Sequence, residues 1–233
     1  DTVIEIGPGP GGLTAELARR AGRVIAIEKD RDLAAALAGR WPNVTVMEGD
    51  ALELDWHTLG GPGALVTGNI PYNITSPLID KALAPPRPPR IVFLVQKEVA
   101  DRVTAAAGEG AYGALSIGVQ AVARAERLFV VPAGAFHPRP QVDSAVLRLT
   151  PLESPLVLDV EIPTFRRLVV GLFGFRRKQL GRGVRELTGW APEQVADVLA
   201  RAEVDPAVRP ETLVPEAFVR LLHALVDGGW AGK

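Results

Sequence analysis

The stretch Val3-Ile-Glu-Ile-Gly-Pro-Gly-Pro-Gly-Gly12 decides how the chain is read. A short apolar strand runs straight into a G-x-G-x-x-G turn, and residues 13–21 continue as a helix with Leu13 and Leu17 on one face. In that context the glycines allow a tight turn and a close approach of ligand to backbone. The bland alternative is a glycine turn with no ligand. A second strand, Arg23-Val-Ile-Ala-Ile27, ends at Glu28, at the distance where an acid accepts both ribose hydroxyls of an adenosine moiety. Asp30 is placed to cap the next helix, which continues to about residue 40.

Further along, strands are expected at 44–47, 64–68 and 91–95, with helices at 76–83, 97–103 and 112–123 and a proline-rich loop at 84–89. Short apolar strands alternating with helices argue for a parallel sheet covered on both faces. Two more strands, 126–131 and 145–149, have only a loop between them and should pair antiparallel. Beyond Pro151 the alternation stops, and proline-marked segments at 163–175, 177–187, 192–202 and 215–226 all read as helix. The expected fold class is α/β, a Rossmann-like sheet that is mostly parallel with its last strand antiparallel, followed by a small all-α domain. The expected division is 1–152 and 153–233.

Composition narrows the chemistry. With 233 residues, 47% hydrophobic and 23% charged, the chain suits a soluble globular protein with a sizeable core. It has no cysteine, which excludes disulfides and thiol chemistry, and its three histidines are scattered, so no metal site is expected. No apolar run approaches a membrane span and no signal peptide is visible, so a cytoplasmic monomer with no membrane partner is expected. The net charge of −1 says nothing of nucleic acid, but its distribution does. Between 162 and 185 there is no acid, while Arg166, Arg167, Arg176, Arg177, Lys178, Arg182 and Arg185 all fall there. A solvated helical face is the competing reading.

The acids choose among cofactors. A dinucleotide would set its pyrophosphate at the helix N-terminus, but Glu5 just before the loop repels an anion and suits a sulfonium with its amino group. That disfavours an NAD-dependent oxidoreductase. Asp50, at the end of the third strand, is placed to accept from an adenine amino group, or else to cap the turn at Ala51. Glu28 has its own alternative as a surface acid paired with Lys29. Together the acids favour S-adenosylmethionine and a methyltransferase.

Asn69-Ile70-Pro71-Tyr72 closes the fourth strand, where open α/β sheets bind ligands. An adenine amino nitrogen is a weak nucleophile because its lone pair is delocalised into the ring. The Asn69 side-chain oxygen and the Ile70 carbonyl, held extended by Pro71, can accept its two hydrogens, and Tyr72 can stack on the base. Otherwise Asn69 bonds its own backbone and Tyr72 is core. Phe136, on a loop stiffened by Pro138 and Pro140, offers a second wall, or instead plugs the seam between domains.

With these residues in place the chain resembles the bacterial small-subunit rRNA adenine dimethyltransferases. The resemblance runs through Glu5-Ile-Gly-Pro-Gly-Pro-Gly-Gly-Leu-Thr14, Gly49-Asp-Ala51, Gly68-Asn-Ile-Pro-Tyr-Asn-Ile74, Gln96-Lys-Glu-Val-Ala-Asp-Arg102, Tyr112-Gly113, Phe136-His-Pro-Arg-Pro-Gln-Val-Asp-Ser-Ala-Val146 and the basic 173–180 stretch. It implies dimethylation of the exocyclic amino groups of two adjacent adenosines in the 3′-terminal hairpin loop of 16S rRNA, within an assembling small ribosomal subunit. By match, Glu5, Gly7, Pro8, Gly9, Glu28, Lys29, Asp50, Ala51 and Asn69 would line the S-adenosylmethionine site. Asn69, Ile70, Pro71, Tyr72 and Phe136 would hold the base. Arg166, Arg167, Arg176, Arg177, Lys178 and Arg182 would contact RNA. Similar enzymes methylate 23S rRNA and confer macrolide resistance, but the 96–102 and 112–113 stretches look more like the 16S branch. A non-catalytic RNA-binding assembly factor is the remaining alternative, opposed by the intact Asn69–Tyr72 segment. The family also carries an N-terminal Gln-Asn-Phe-Leu-like segment that closes over the methionine end of the cofactor. None precedes Asp1, and the expectation is weaker S-adenosylmethionine binding than in a chain extended by it.

Overall fold

Strand β1 (Thr2–Ile6) pairs in parallel with β2 (Arg23–Glu28) on one side and β4 (Leu65–Asn69) on the other. Strand β3 (Val44–Glu48) extends the first side, and β5 (Ile91–Gln96) the second, both in parallel. Strand β7 (Ser144–Pro151) then adds antiparallel to β5, and β6 (Ala123–Val131) antiparallel to β7. The seven strands therefore run β3-β2-β1-β4-β5-β7-β6. The strand order reverses between β1 and β4, and that is where an open sheet of this kind leaves a crevice beyond its carboxyl ends. The computed structural model describes residues 1–232.

Burial follows the apolar pattern. In β2 Val24, Ile25, Ala26 and Ile27 are all buried, as expected of a central strand packed on both faces. The other half of the sheet differs from the expectation. Strand β5 alternates buried with half-exposed residues, and β4 and β7 show the same period of two, so one face there is only partly covered.

Helices α1 (Gly12–Arg20), α2 (Arg31–Leu37) and α3 (Thr75–Ala82) follow β1, β2 and β4. Asp30 caps α2 by accepting from the N–H groups of Asp32 and Leu33 at 2.9 and 3.0 Å. That helix stops short of the expected residue 40: Ala38 leaves the helical conformation at ψ 129° and Gly39 follows at φ +75°. In α1 the expected Leu13 face is not the buried one. Leu13 is exposed and Thr14 is buried, near the carboxylate of Glu5.

Helix α4 (Lys97–Thr104) follows β5. Helix α5 (Ala114–Gln120) is shorter than the expected 112–123, since Gly113 precedes it and β6 already begins at Ala123. Beyond β7 the described residues form four α-helices: α6 (Ile162–Gly174), α7 (Leu180–Thr188), α8 (Pro192–Arg201) and α9 (Pro215–Asp227). Contacts divide the chain into a sheet unit, 1–101 with 123–151, and a helical unit, 102–122 with 152–232. The contiguous division expected from sequence therefore misplaces 102–122. Backbone polarity explains why: the Tyr112 hydroxyl donates to the Leu213 carbonyl at 2.7 Å, and Gly108 N–H to the Glu211 carbonyl at 2.8 Å. Both bonds lie inside the helical unit.

Candidate active site

The glycine turn follows the sheet ladder directly. Gly7, at φ +67°, donates its N–H to the Ile27 carbonyl at 2.9 Å, which carries the β1–β2 pairing one step beyond the strands. Ile6 faces Gly68 in β4, so the next residues, Gly7 and Asn69, meet at the switch point. A Cβ on Gly7 would lie 3.8 Å from the Asn69 carbonyl oxygen. The two motifs singled out in the sequence thus converge on one crevice.

Glu28 is buried and holds the turn together. Its Oε2 accepts from Gly9 N–H at 3.0 Å and its Oε1 from Asp30 N–H at 2.9 Å. Each oxygen keeps a second lone pair for a ligand hydroxyl. Glu28 does not pair with Lys29. Instead Lys29 Nζ reaches Asp50 Oδ2 at 2.8 Å, and Asp50 Oδ1 accepts from Leu52 N–H at 2.8 Å. The Lys29 hydrogen bond, with that from Leu52, holds the Asp50 carboxyl below its ordinary range. Asp50 therefore does cap the turn beginning at Ala51, yet it still stands at the end of β3 with lone pairs to spare.

Glu5 is the unusual acid. It is 1% exposed, and its Oε2 has no hydrogen-bond partner among the described residues, nor has the Thr14 hydroxyl. Burial pushes its pKa up to about 6, opposed by the nearby Thr14 hydroxyl and reinforced by the Glu28 carboxylate. A buried, unpaired carboxylate oxygen beside a glycine turn has the chemistry to receive a cation or a hydrogen-bond donor.

On the other side of the crevice, Ile70 N–H donates to the Leu94 carbonyl at 3.0 Å and its side chain is buried, so the backbone at the turn is fixed. The Asn69 side chain is exposed and makes no hydrogen bond among the described residues, and the Ile70 carbonyl accepts none. Asn69 is thus not spent on its own backbone. Tyr72 is 36% exposed and not core. Asn69, Ile70, Pro71 and Tyr72 share a pocket of about 360 Å³ with Phe136, His137, Pro138 and Pro140. An amide, a free carbonyl and two aromatic rings therefore face one open space.

The family model described as ribosomal RNA adenine dimethylase matches residues 1–225. The chain belongs to that family. It is a methyltransferase, and the methyl donor of this adenine dimethylase is S-adenosylmethionine. Among its relatives, ribosomal RNA small subunit methyltransferase A of Acidithiobacillus ferrooxidans is 42% identical, over 98% of this chain and 85% of that protein. The protein of the same name from Phenylobacterium zucineum is 43% identical, over 96% and 78%. Among solved structures, a dimethyladenosine transferase from Plasmodium falciparum superposes with a TM-score of 0.85 at 28% identity, covering 98% of this chain and 91% of that one. The 23S rRNA methyltransferase ErmE gives 0.72 at 28% identity, covering 97% and 91%.

The residues present fit that methyl donor. The orphaned Glu5 oxygen matches a ligand that is cationic or donates hydrogen bonds, and Glu28 matches a ribose diol. The basic run of this adenine dimethylase needs more revision. Its lack of acids holds only along the sequence. Arg176 Nε binds Glu211 Oε2 at 2.5 Å and its Nη2 donates to the Gly110 carbonyl at 3.1 Å. Lys178 and Arg182 both turn to Glu186, at 3.1 and 3.7 Å. Arg167 leans on the Thr164 hydroxyl, whereas Arg177 is exposed and makes no ion pair among the described residues. Sequence reasoning also gave no role to Ser144, which contacts the Tyr72 hydroxyl, or to Asp143, which accepts from Ala133 N–H at the base of the Phe136 loop. A hydroxyl at the first residue of a strand was the available signal. Among the described residues, no group of acids and histidines could hold a metal, and no helix is long and apolar enough to cross a membrane.

Proposed function

We propose that the chain dimethylates the exocyclic amino groups of two adjacent adenosines in the 3′-terminal hairpin loop of 16S rRNA, acting on the assembling small subunit as a cytoplasmic monomer. The observation that carries this is the unpartnered Asn69 amide and Ile70 carbonyl beside Gly7, opening into a pocket walled by Tyr72 and Phe136. The names and identities of the relatives favour the small-subunit reading over the 23S one.

S-adenosylmethionine, when bound, supplies an electrophilic sulfonium methyl. Everything else falls to the chain. Glu5 balances positive charge, the turn at Gly7, Pro8 and Gly9 offers backbone at close range, and Glu28 takes the ribose. Asp50, with Lys29 and Ala51 beside it, takes the adenine of the donor. Asn69 Oδ1 and the Ile70 carbonyl accept the two hydrogens of the target amino group, drawing the nitrogen towards tetrahedral geometry and freeing its lone pair. Tyr72 and Phe136 hold the base flat, with Pro71 fixing the turn. This is catalysis by positioning and electrostatics, with no covalent intermediate. RNA loops can present bases splayed out of the stack, which suits such a pocket. Arg166, Arg167, Arg177 and the Lys178–Arg182 edge of the helical unit take the flanking phosphates.

The test is transfer of labelled methyl groups from S-adenosylmethionine to unmethylated small subunits. Asn69→Ala is expected to lower the rate about a hundredfold or more, as loss of one preorganised polar contact does elsewhere. An alanine variant as fast as the unaltered chain would remove the central role of Asn69.

A further inference from the structure

Two adjacent side chains where β7 begins reach the Tyr72 wall of the target pocket and the base of the loop that carries its Phe136 wall. Ser144 is 1% exposed, and its Oγ lies 3.1 Å from the phenolic oxygen of Tyr72. Asp143 Oδ1 accepts from Ala133 N–H at 2.9 Å, which closes the base of the loop that carries Phe136. Both residues are anchored in the sheet: the Asp143 carbonyl accepts from Lys97 N–H at 2.9 Å, and Ser144 lies between Gln96 of β5 and Val131 of β6. Tyr72 sits on a short 3₁₀ turn, and its hydroxyl contact with Ser144 ties the end of the ring to β7.

We propose that Asp143 and Ser144 are positioning residues that together set the gap between the Tyr72 and Phe136 walls; this rests on the reading of that pocket as the target-base site. A base gripped on both faces needs walls about 7 Å apart, two contacts of about 3.5 Å each. A phenol without its partner leaves one wall free to turn, and a loop open at its base lets the other drift. Asp143 acts here as a neutral acceptor would, through one oxygen, so its charge is not required.

The experiment is methyl transfer by the full chain to unmethylated small subunits, with kcat and KM separated. Tyr72→Phe and Ser144→Ala are each expected to lower kcat about fivefold to tenfold, with KM for subunits and the Kd for S-adenosylmethionine unchanged. The double variant should be no slower than either single one. Asp143→Ala should be slowed similarly, while Asp143→Asn, which keeps the oxygen, stays near the unaltered rate. Fully additive effects of Tyr72→Phe and Ser144→Ala, or an Asn variant as slow as the Ala variant, would overturn the proposal. Tyr72→Phe keeps a packed ring, so it tests the contact even where Ser144→Ala folds poorly. Tyr72→Ala separates the two levels. If it is badly impaired while Tyr72→Phe and Ser144→Ala are unaffected, only the positioning role fails. If Tyr72→Ala is itself fully active, the pocket reading fails.

Discussion

Glu5 carries a measurable signature of the site. Its pKa is raised from 4.5 to about 6 in the folded chain, chiefly by burial, so the folded state prefers it protonated. Its contribution is most favourable below the unfolded value and is lost as pH rises through about 6, a change of about 2 kcal/mol. Glu5→Gln should therefore raise the melting temperature relative to the unaltered chain above pH 6, with little difference near pH 4. An equal shift at both pH values would mean that ionisation of Glu5 is not responsible. The same carboxylate predicts that S-adenosylmethionine binds more tightly as pH rises through about 6, with proton release visible by calorimetry in buffers of different ionisation enthalpy. Much of this was legible in sequence, because an acid directly before a glycine turn is out of place for a pyrophosphate. The depth of its burial was not, since Thr14 rather than Leu13 proved to be the inward residue of α1.

At the scale of the element, β4 lies one residue beyond the expected 64–68 at each end. An apolar run ending in Asn-Ile-Pro-Tyr has few ways to terminate, and the structure ends it at Asn69. Gly68 is less obvious. A Cβ there would press on the Ile6 carbonyl of β1 and lie 2.8 Å from Ile70 Cδ1. Gly68→Ala should destabilise the chain by about 1–3 kcal/mol, as overpacking does, and displace Asn69 from Gly7. Chemical denaturation together with methyl transfer measured well below the melting temperature would show it. Activity that survives in proportion to the folded fraction would argue that the Gly7–Asn69 approach is not critical. Asp50 shows the limit of reading elements one by one. Its strand-end position suggested a ligand contact, yet Lys29 from the neighbouring strand end also claims it, and only the β2–β3 pairing brings those two together.

Over the whole molecule, tertiary pairing reassigned charges that looked alike in sequence. The 162–185 run contains no acid, but Glu211 and Glu186 lie outside it and engage Arg176, Lys178 and Arg182. Arg176→Ala is expected to lower the stability of the helical unit, because it takes from Glu211 its nearest cation, leaving Arg209 at 4.0 Å, and removes the donor to the Gly110 carbonyl. Arg177→Ala should leave the melting temperature alone, weaken binding to the small subunit and reduce its salt dependence by roughly one unit of slope. Thermal melts and salt titrations of subunit binding distinguish the two; matching behaviour would mean that the assignment of separate roles is wrong. The sheet class, the helical tail and the antiparallel end were readable from period and punctuation. The placement of 102–122 was not, because it depends on hydrogen bonds from Tyr112 and Gly108 to residues about a hundred positions away. That placement bears on biosynthesis. The chain leaves the sheet unit after 101, returns at 123 and leaves again after 151. A ribosome that delivers it from the N-terminus must therefore start the helical unit before β6 and β7 exist. Neither unit can close while the other is unbegun, and no single cut can release either one whole.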